Sequence, residues 1–357
     1  MKGCWVNWLS RINLPRSLLP TVKSCNLNII GITAALLLSL SAFSAGPPPG
    51  KAHKVLKLMG CRFEITAVAE NDTLAWEAVR AGIEEIDRIE KLISSWDSHS
   101  QTSEVNRQAG IRPVKVDKEL FDLIYRAKKV SALTRGAFDI SFASMDRIWH
   151  FDQQEHQLAD SAAVTEARQK TDFQKIKLNS NDTTVFLAEK GMKIGFGALG
   201  KGYAANRARQ LMSAMPGVVG GVVNASGDLL AWGENTDSEK WKIKIADPMH
   251  PDRPVGWLEV SEMAIVTSGD YEKFFTCQGK RYAHIVNPKT GYPTTGITSV
   301  TIICPDAELA DALATSVFVL GREQGLDLVN KMDDVEAVVI ADDGSMHQSA
   351  NLNLNYY

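Results

Sequence analysis

One glycine-rich segment has the residue types needed to bind a phosphate group. Residues 194–203 read Ile-Gly-Phe-Gly-Ala-Leu-Gly-Lys-Gly-Tyr, so three glycines fall within six residues and Lys201 follows them. Glycine lets a backbone approach a phosphate closely, and a helix that begins behind such a turn directs its free N–H groups at the anion. The segment therefore predicts an anion site in front of a helix.

A second segment, residues 310–315, could hold a metal ion beside that anion. Asp311 and Thr315 lie one helical turn apart, so both side-chain oxygens can face one ion. Ligand sets made only of oxygen favour Mg²⁺ over zinc. Each segment alone has a simpler explanation, namely a tightly packed turn for the first and a solvated helix edge for the second. The first is also neither a dinucleotide-binding nor a Walker motif, because Lys-Gly follows the glycines and no early βαβ unit precedes them.

His284 is the candidate for acid–base chemistry. It ends a predicted strand just before Asn287 and Pro288, and loops at strand ends often carry function. A lone histidine is usually structural, but beside a metal and a phosphate site it becomes a candidate proton acceptor.

Composition excludes some classes of protein. The chain has 357 residues, is 45% hydrophobic and can bury a substantial core. Its net charge of -3 includes four basic residues, and no acid, in residues 1–44; removing these four leaves 35 basic against 42 acidic side chains. No basic run remains to neutralise a nucleic-acid backbone, so we expect no nucleic-acid partner.

The N-terminus has the layout of an export signal. A basic region precedes an apolar run at residues 29–38 and small residues at 41–45, which predicts a signal peptide cut before Ala45. An uncleaved anchor is the alternative, with association to the inner membrane. We therefore divide the chain into a leader or anchor at 1–45, a Pro/Gly spacer at 46–52, a catalytic domain at 53–345 and a tail at 346–357.

The remaining pattern predicts a single α+β domain. Apolar periodicity after the cap at Asn71, and again over residues 118–133, predicts two long amphipathic helices, with a polar loop between them up to Gly110 that contains residues 103–106. Helices are also expected after Lys201, around Asp311 and near residues 322–331. Strands are expected at 184–187, 218–223, 241–245, 257–260 and 298–303, with a hairpin turning at 342–344. Strands and helices mix without strict βαβ alternation.

Seven ordered blocks make the chain resemble the ApbE family, the FAD:protein FMN transferases. The resemblance covers roughly residues 54–340. The blocks are Met59-Gly60, Ser103-Glu104-Val105-Asn106, Gly136-Ala137-Phe138-Asp139, Gly197-Ala198-Leu199-Gly200-Lys201-Gly202-Tyr203-Ala204, Thr267-Ser268-Gly269-Asp270-Tyr271, His284-Ile285-Val286-Asn287-Pro288 with Gly291, and Asp311-Ala312-Leu313-Ala314-Thr315.

The resemblance implies a T-fold-like catalytic domain of two intertwined α/β lobes with FAD in the cleft between them. It implies that FMN moves from FAD to a Ser or Thr hydroxyl of an acceptor protein, with release of AMP. Mg²⁺ would be held by the Ala198 carbonyl, Asp311 and Thr315. FAD contacts would come from Met59, Trp96, Ala137, Phe138, Asp139, Lys201, His284 and Ile285.

Chemistry suggests roles for the remaining candidates. Cleaving a pyrophosphate requires neutralisation of charge on its oxygens, which Mg²⁺ and Lys201 supply. The acceptor hydroxyl needs a base, for which His284 is our first choice and Asp270 the competing one. Trp96 could stack on a flavin or adenine ring, although a Trp at a helix end is often a packing residue.

The chain departs from the family pattern at three places. Gly195 stands where many members have Asp, Ser226-Gly227-Asp228 stands for Gly-Gly-Asp, and Asn206 stands for Asp. Two other activities remain open, a Mg²⁺-dependent FAD pyrophosphatase that yields FMN and AMP, and a flavin-binding protein without chemistry. For an exported transferase, the resemblance implies extracytoplasmic acceptors with a flavinylation motif, such as redox-complex subunits or soluble flavoproteins.

Overall fold

The centre of the fold is a large antiparallel sheet. The structure, a computed structural model, describes residues 49–145, 148–149, 151, 159–250, 252–270, 274–277 and 280–356. Within these residues, eight strands form one sheet in the order β1-β2-β6-β7-β10-β13-β14-β15, and every neighbouring pair is antiparallel. These strands are β1 (Gly50–Leu58), β2 (Cys61–Ala69), β6 (Val218–Ala225), β7 (Asp228–Gly233), β10 (Met263–Gly269), β13 (Ile297–Cys304), β14 (Glu336–Ala341) and β15 (Met346–Gln348).

Smaller sheets surround the large one. Strands β3 (Val114–Lys115), β4 (Ile176–Asn179) and β5 (Thr184–Leu187) form a three-stranded sheet. Strand β8 (Trp241–Ile245) pairs with β9 (Gly256–Val260), and β11 (Phe274–Cys277) pairs with β12 (Lys280–Ala283). The β11–β12 ribbon directly precedes His284, so it sets the position of that side chain.

Helices cover one face of the large sheet. Helix α1 (Asp72–Ile93) contacts β1 and β2, α5 (Gly200–Ser213) contacts β6 and β7, and α6 (Ala307–Leu320) contacts β10 and β13. The other helices are α2 (Gln101–Arg107), α3 (Lys118–Leu133), α4 (Ser161–Gln169) and α7 (Arg322–Val329), with short 3₁₀ segments at Ile140–Met145 and Phe173–Lys175.

Side chains that point alternately to the two sides of the large sheet give it two apolar faces. Ile302 belongs to the main core beneath the helices, whereas its neighbour Ile303 belongs to a second core that includes Ile245 and Leu354. Successive side chains of a strand point to opposite faces, so the β8–β9 sheet and the C-terminal segment cover the side away from the helices. This mixture confirms the predicted α+β class. No helix among the residues described is both long and apolar enough to cross a bilayer.

Pairing registers bring several turns to one end of the large sheet. Cys61 begins β2 beside the Met59-Gly60 turn, and Phe63 pairs with Ala225 at the tip of the β6–β7 hairpin. Asp228 then pairs with Val266, and β10 continues past it to Gly269, which pairs with Ser299 near the start of β13. Residues far apart in sequence thus meet at this end, which we call the turn end.

The predicted elements agree with the structure except in one loop and at the domain margins. Residues 103–106, expected in a loop, lie in helix α2, because the Ser100 side chain caps it by accepting from Ser103 N at 3.0 Å. Strand β1 begins inside the predicted spacer, at Gly50, and β15 lies in the predicted tail. The predicted leader, residues 1–45, is outside the described residues.

Candidate active site

The glycine-rich loop is held in place by a neighbouring helix. The Asn106 amide of α2 donates to the Ile194 carbonyl at 3.0 Å and accepts from Ile194 N at 2.8 Å. Gly195 N then donates to the Ile140 carbonyl at 2.9 Å. These three bonds fix the direction in which the loop enters α5. Asn106, which makes two of them, therefore supports the loop.

Gly202 is required for close packing rather than for turn geometry. A Cβ at this position would lie 2.1 Å from the Ala307 carbonyl oxygen, so α5 and the start of α6 touch here backbone to backbone. At the same point Gly202 N donates to Asp311 Oδ2 at 3.2 Å. The predicted anion loop and the predicted metal helix are therefore in direct contact.

Lys201 lies between two buried carboxylates at this contact. Its Nζ is 2.5 Å from Asp228 Oδ2 and 3.6 Å from Asp311 Oδ1. Burial alone would lower the pKa of the Lys201 ammonium, but the carboxylates of Asp311 and Asp228 outweigh burial and raise that pKa above its ordinary value. Lys201 is thus a fixed positive charge at the start of α5.

Burial also acts on Asp311, which is 2% exposed. It raises the pKa of the Asp311 carboxyl, while the Lys201 ammonium and the Gly202 N–H oppose that rise. When both carboxylates are ionised, they outnumber the single ammonium and leave a net negative charge. A second cation is therefore favoured here electrostatically.

The residue types predicted to bind the metal suit a hard cation. Thr315 is half-buried one turn further along α6, and Ala198 lies in the turn that precedes α5. A carboxylate, a hydroxyl and a carbonyl are the donor types that Mg²⁺ prefers. Among the described residues, no group of three or more His, Cys, Asp or Glu side chains is placed to bind a metal.

The first turn of α6 is fixed by polar contacts to its neighbours. Asn206 of α5 donates to Asp306 Oδ1 and accepts from Ala307 N, both at 3.0 Å. An aspartate at 206 would set a second carboxylate against Asp306, so asparagine is the better partner in this chain. Arg126 of α3 binds Glu308 through two bonds of 2.9 Å. Burial raises the pKa of Glu308 to about 7, although Arg126 opposes this.

Met59 lies in a turn beside the start of α5, and Trp96 is exposed after the end of α1. Met59 and Gly60 form the two-residue turn between β1 and β2, with φ of 48° and 76°, and Met59 N donates to Glu90 at 2.7 Å. Its terminal methyl lies near Gly200, at the start of α5. Trp96 is 87% exposed, so it is not a packing residue.

The turn at residues 137–139 is buried rather than open. The Phe138 side chain is 1% exposed in the main core, and Ala137 is 2% exposed. Asp139 accepts from Ser141 N and Oγ through one oxygen and from Phe173 N through the other. Because these side chains are buried, any ligand contact from this turn would come from its backbone.

Asp270 and His284 lie on a second group of elements. Asp270, 2% exposed, forms an ion pair with Arg281 of β12, with 2.8 Å between Arg281 Nε and Asp270 Oδ2. Burial raises the pKa of Asp270 to about 6, Arg281 lowers it and Asp342 raises it further. His284 is half-buried one residue after β12, with its ring edge-on to Phe151.

Hydrogen bonds to Ile285 hold the backbone beside His284. The Ile285 carbonyl accepts from both Thr294 N and Thr294 Oγ1 at 2.8 Å, and its side chain is 9% exposed. The turn at Asn287 closes when Gly291 N donates to the Asn287 carbonyl at 2.8 Å. The main chain that follows His284 is therefore held by these hydrogen bonds.

Comparison with known proteins shows the family to which the chain belongs. The ApbE family model matches residues 59–339, and the chain belongs to the ApbE family. A FAD:protein FMN transferase of Treponema pallidum is 32% identical over 77% of this chain and 81% of that protein. One of Klebsiella pneumoniae is 30% identical over 79% of this chain and 87% of that protein. The solved ApbE protein of Thermotoga maritima superposes with a TM-score of 0.76 at 29% identity, over 84% of this chain and 97% of that one.

Proposed function

We propose that this chain is an exported, Mg²⁺-dependent FAD:protein FMN transferase. The observation that supports this most is the contact between Lys201, Asp228 and Asp311 where α5 meets α6, within an ApbE-family fold. The reaction is inferred from relatives named FAD:protein FMN transferase, and we place it at this charged cluster.

The chemistry is a displacement at the phosphorus of the FMN half of FAD. The acceptor Ser or Thr oxygen forms a bond to that phosphorus, the bond from phosphorus to the bridging oxygen breaks, and AMP leaves with that oxygen. Mg²⁺, when bound, neutralises charge on the phosphate oxygens. Asp311, Thr315 and the Ala198 carbonyl would hold it, and Lys201 would face the same diphosphate with its ammonium.

His284 is the better candidate to accept the proton of the acceptor hydroxyl. It is half-buried at the end of β12, whereas Asp270 is 2% exposed and paired with Arg281. A base must come within hydrogen-bond distance of a hydroxyl that arrives on another protein, which favours the more accessible group. Asp270 then serves to hold the β11–β12 ribbon through Arg281.

Trp96 would stack on one ring system of FAD. Its ring is 87% exposed at the end of α1, and an aromatic ring held in solvent is suited to a flat ligand. The acceptor would be an extracytoplasmic protein with a flavinylation motif, such as a redox-complex subunit or a soluble flavoprotein. The N-terminal pattern of residues 1–45 supports export, with an uncleaved segment as a route to inner-membrane association.

Product analysis tests this proposal against its alternatives. The purified protein is incubated with FAD and Mg²⁺, with and without an acceptor domain, while AMP and free FMN are quantified. We expect AMP release that depends on the acceptor and on Mg²⁺, with little free FMN. Free FMN equal to AMP in both reactions would indicate a pyrophosphatase instead. Bound but intact FAD would indicate a flavin-binding protein.

A further inference from the structure

Asp228 is buried at the turn end of the sheet and is bound to Lys201. It is 3% exposed and begins β7, immediately after the Ser226-Gly227 turn, where both residues have positive φ. Its partner Lys201 is on a different element, at the first turn of α5. A buried carboxylate is costly without a partner, so the buried Asp228 carboxylate depends on Lys201 for its compensating charge.

The ammonium of Lys201 has two carboxylates within reach and lies nearer one of them. It is 2.5 Å from Asp228 and 3.6 Å from Asp311. Asp311 Oδ2 accepts a hydrogen bond from Gly202 N at 3.2 Å, so Oδ1, which faces the ammonium, is the oxygen with more capacity to bind a cation. Without the charge of Asp228, Coulombic attraction would draw the ammonium onto Asp311 Oδ1.

We propose that Asp228 is a positioning residue that holds the Lys201 ammonium away from Asp311 and so keeps Asp311 available to Mg²⁺. The inference rests on the proposed function and assigns a role to a residue that is neither a metal ligand nor a base. The Lys201 ammonium and Mg²⁺ compete for Asp311 Oδ1, and Asp228 favours Mg²⁺ by binding the ammonium.

A double-mutant cycle in Mg²⁺ affinity tests this role without using catalysis. The variants are Asp228→Asn, Lys201→Met and the double variant, and the readout is the thermal unfolding midpoint during titration with Mg²⁺ alone. Binding to the folded state raises the midpoint according to affinity. Asp228→Asn should weaken Mg²⁺ binding about 10- to 100-fold, the usual effect of losing a group that orients a ligand. In the Lys201→Met background, the same change should cost less than about threefold, because no ammonium remains to compete.

Three other outcomes would contradict this role of Asp228. One of them would also contradict the Mg²⁺ site of the proposed function, and the other two would not. Equal weakening by Asp228→Asn in both backgrounds would show that Asp228 acts on the metal site directly or through folding. Unchanged affinity in Asp228→Asn would show that it does not position Lys201. If Mg²⁺ fails to stabilise even the unsubstituted protein, the Mg²⁺ site itself is wrong and this inference falls with it. Asp117→Asn, an exposed change at the start of α3, serves as the control for loss of a carboxylate.

Discussion

Replacing Gly202 with alanine should separate the two helices that form the site. The new Cβ would lie 2.1 Å from the Ala307 carbonyl oxygen and 2.5 Å from its carbonyl carbon, both of them backbone atoms. Contacts under 3.0 Å require movement, and a helix backbone cannot rotate aside as a flexible side chain can. Helix α5 must therefore shift against α6 by about 1 Å, the difference between this 2.1 Å distance and the shortest allowed contact of about 3.0 Å.

The expected cost follows from that displacement. Overpacking of a well-packed contact costs about 1–3 kcal/mol, and in a domain of this size each kcal/mol lowers Tm by about 2 °C. The shift also separates Gly202 N from Asp311 and moves Lys201 relative to it. A misplacement of about 1 Å at a reacting centre lowers turnover about 100-fold. We therefore expect a modest fall in Tm together with a large loss of FAD turnover.

Gly197→Ala is the matched control, because it lies in the same loop with no atom within 4 Å of an added Cβ and no left-handed φ. That variant should keep the Tm of the unsubstituted protein or exceed it slightly, since alanine restricts the unfolded chain. Thermal unfolding by circular dichroism and AMP release from FAD measure the two effects. A Gly202→Ala protein with unchanged Tm and turnover would refute the helix-contact argument, as would a Gly197→Ala protein that is equally destabilised.

Three further changes probe other parts of the site. His284→Asn should lower FMN transfer about 10²- to 10⁴-fold, a much larger loss than in FAD affinity measured by flavin fluorescence; retained transfer would exclude His284 as the base. Trp96→Ala should weaken FAD binding by about 1–3 kcal/mol with no change in Tm, because its ring is 87% exposed; unchanged affinity would exclude stacking. The raised pKa of Asp270, about 6, means that its protonated form stabilises the fold below pH 4 and that this contribution, about 3 kcal/mol, is lost as pH rises to about 6. Asp270→Asn should remove that pH dependence from urea unfolding curves, and an unchanged dependence would place its source elsewhere.

Local signals were sufficient for most of the helices and strands. The cap at Asn71 and the periodicity behind it predicted α1, and residues 118–133 were predicted as the helix that the structure contains. Helix α2 was missed because six of its seven residues are polar, Val105 being the exception, and its stability comes from the Ser100 cap and from packing. Short polar helices lack the periodicity by which longer ones are recognised.

The site was only partly visible in the sequence. Asp311 and Thr315 were identifiable from their spacing, since one turn of helix places both on one face. Asp228 was not identified, because only the pairing of β6, β7 and β10 brings it to the start of α5. Its signal was the Ser226-Gly227-Asp228 sequence, which indicates a tight turn but not the partner beyond it.

Exposure also depends on packing that sequence does not reveal. Trp96 and Phe138 were both candidates for FAD contacts, yet one ring is 87% exposed and the other 1% exposed. Both follow a helix that contributes to the core, so neither composition nor periodicity separates them. The functional meaning of Gly202 was likewise invisible, because the carbonyl that it must accommodate belongs to residue 307.

Intact-mass spectrometry of an acceptor protein tests the central claim most directly. A purified acceptor domain with a flavinylation motif is incubated with the enzyme, FAD and Mg²⁺, alongside Asp311→Ala enzyme and a reaction with chelator. We predict that the acceptor gains the mass of one FMN phosphoester, and that this gain disappears with Asp311→Ala or without Mg²⁺. An unmodified acceptor accompanied by free FMN and AMP, or modification that survives both the substitution and the chelator, would contradict it.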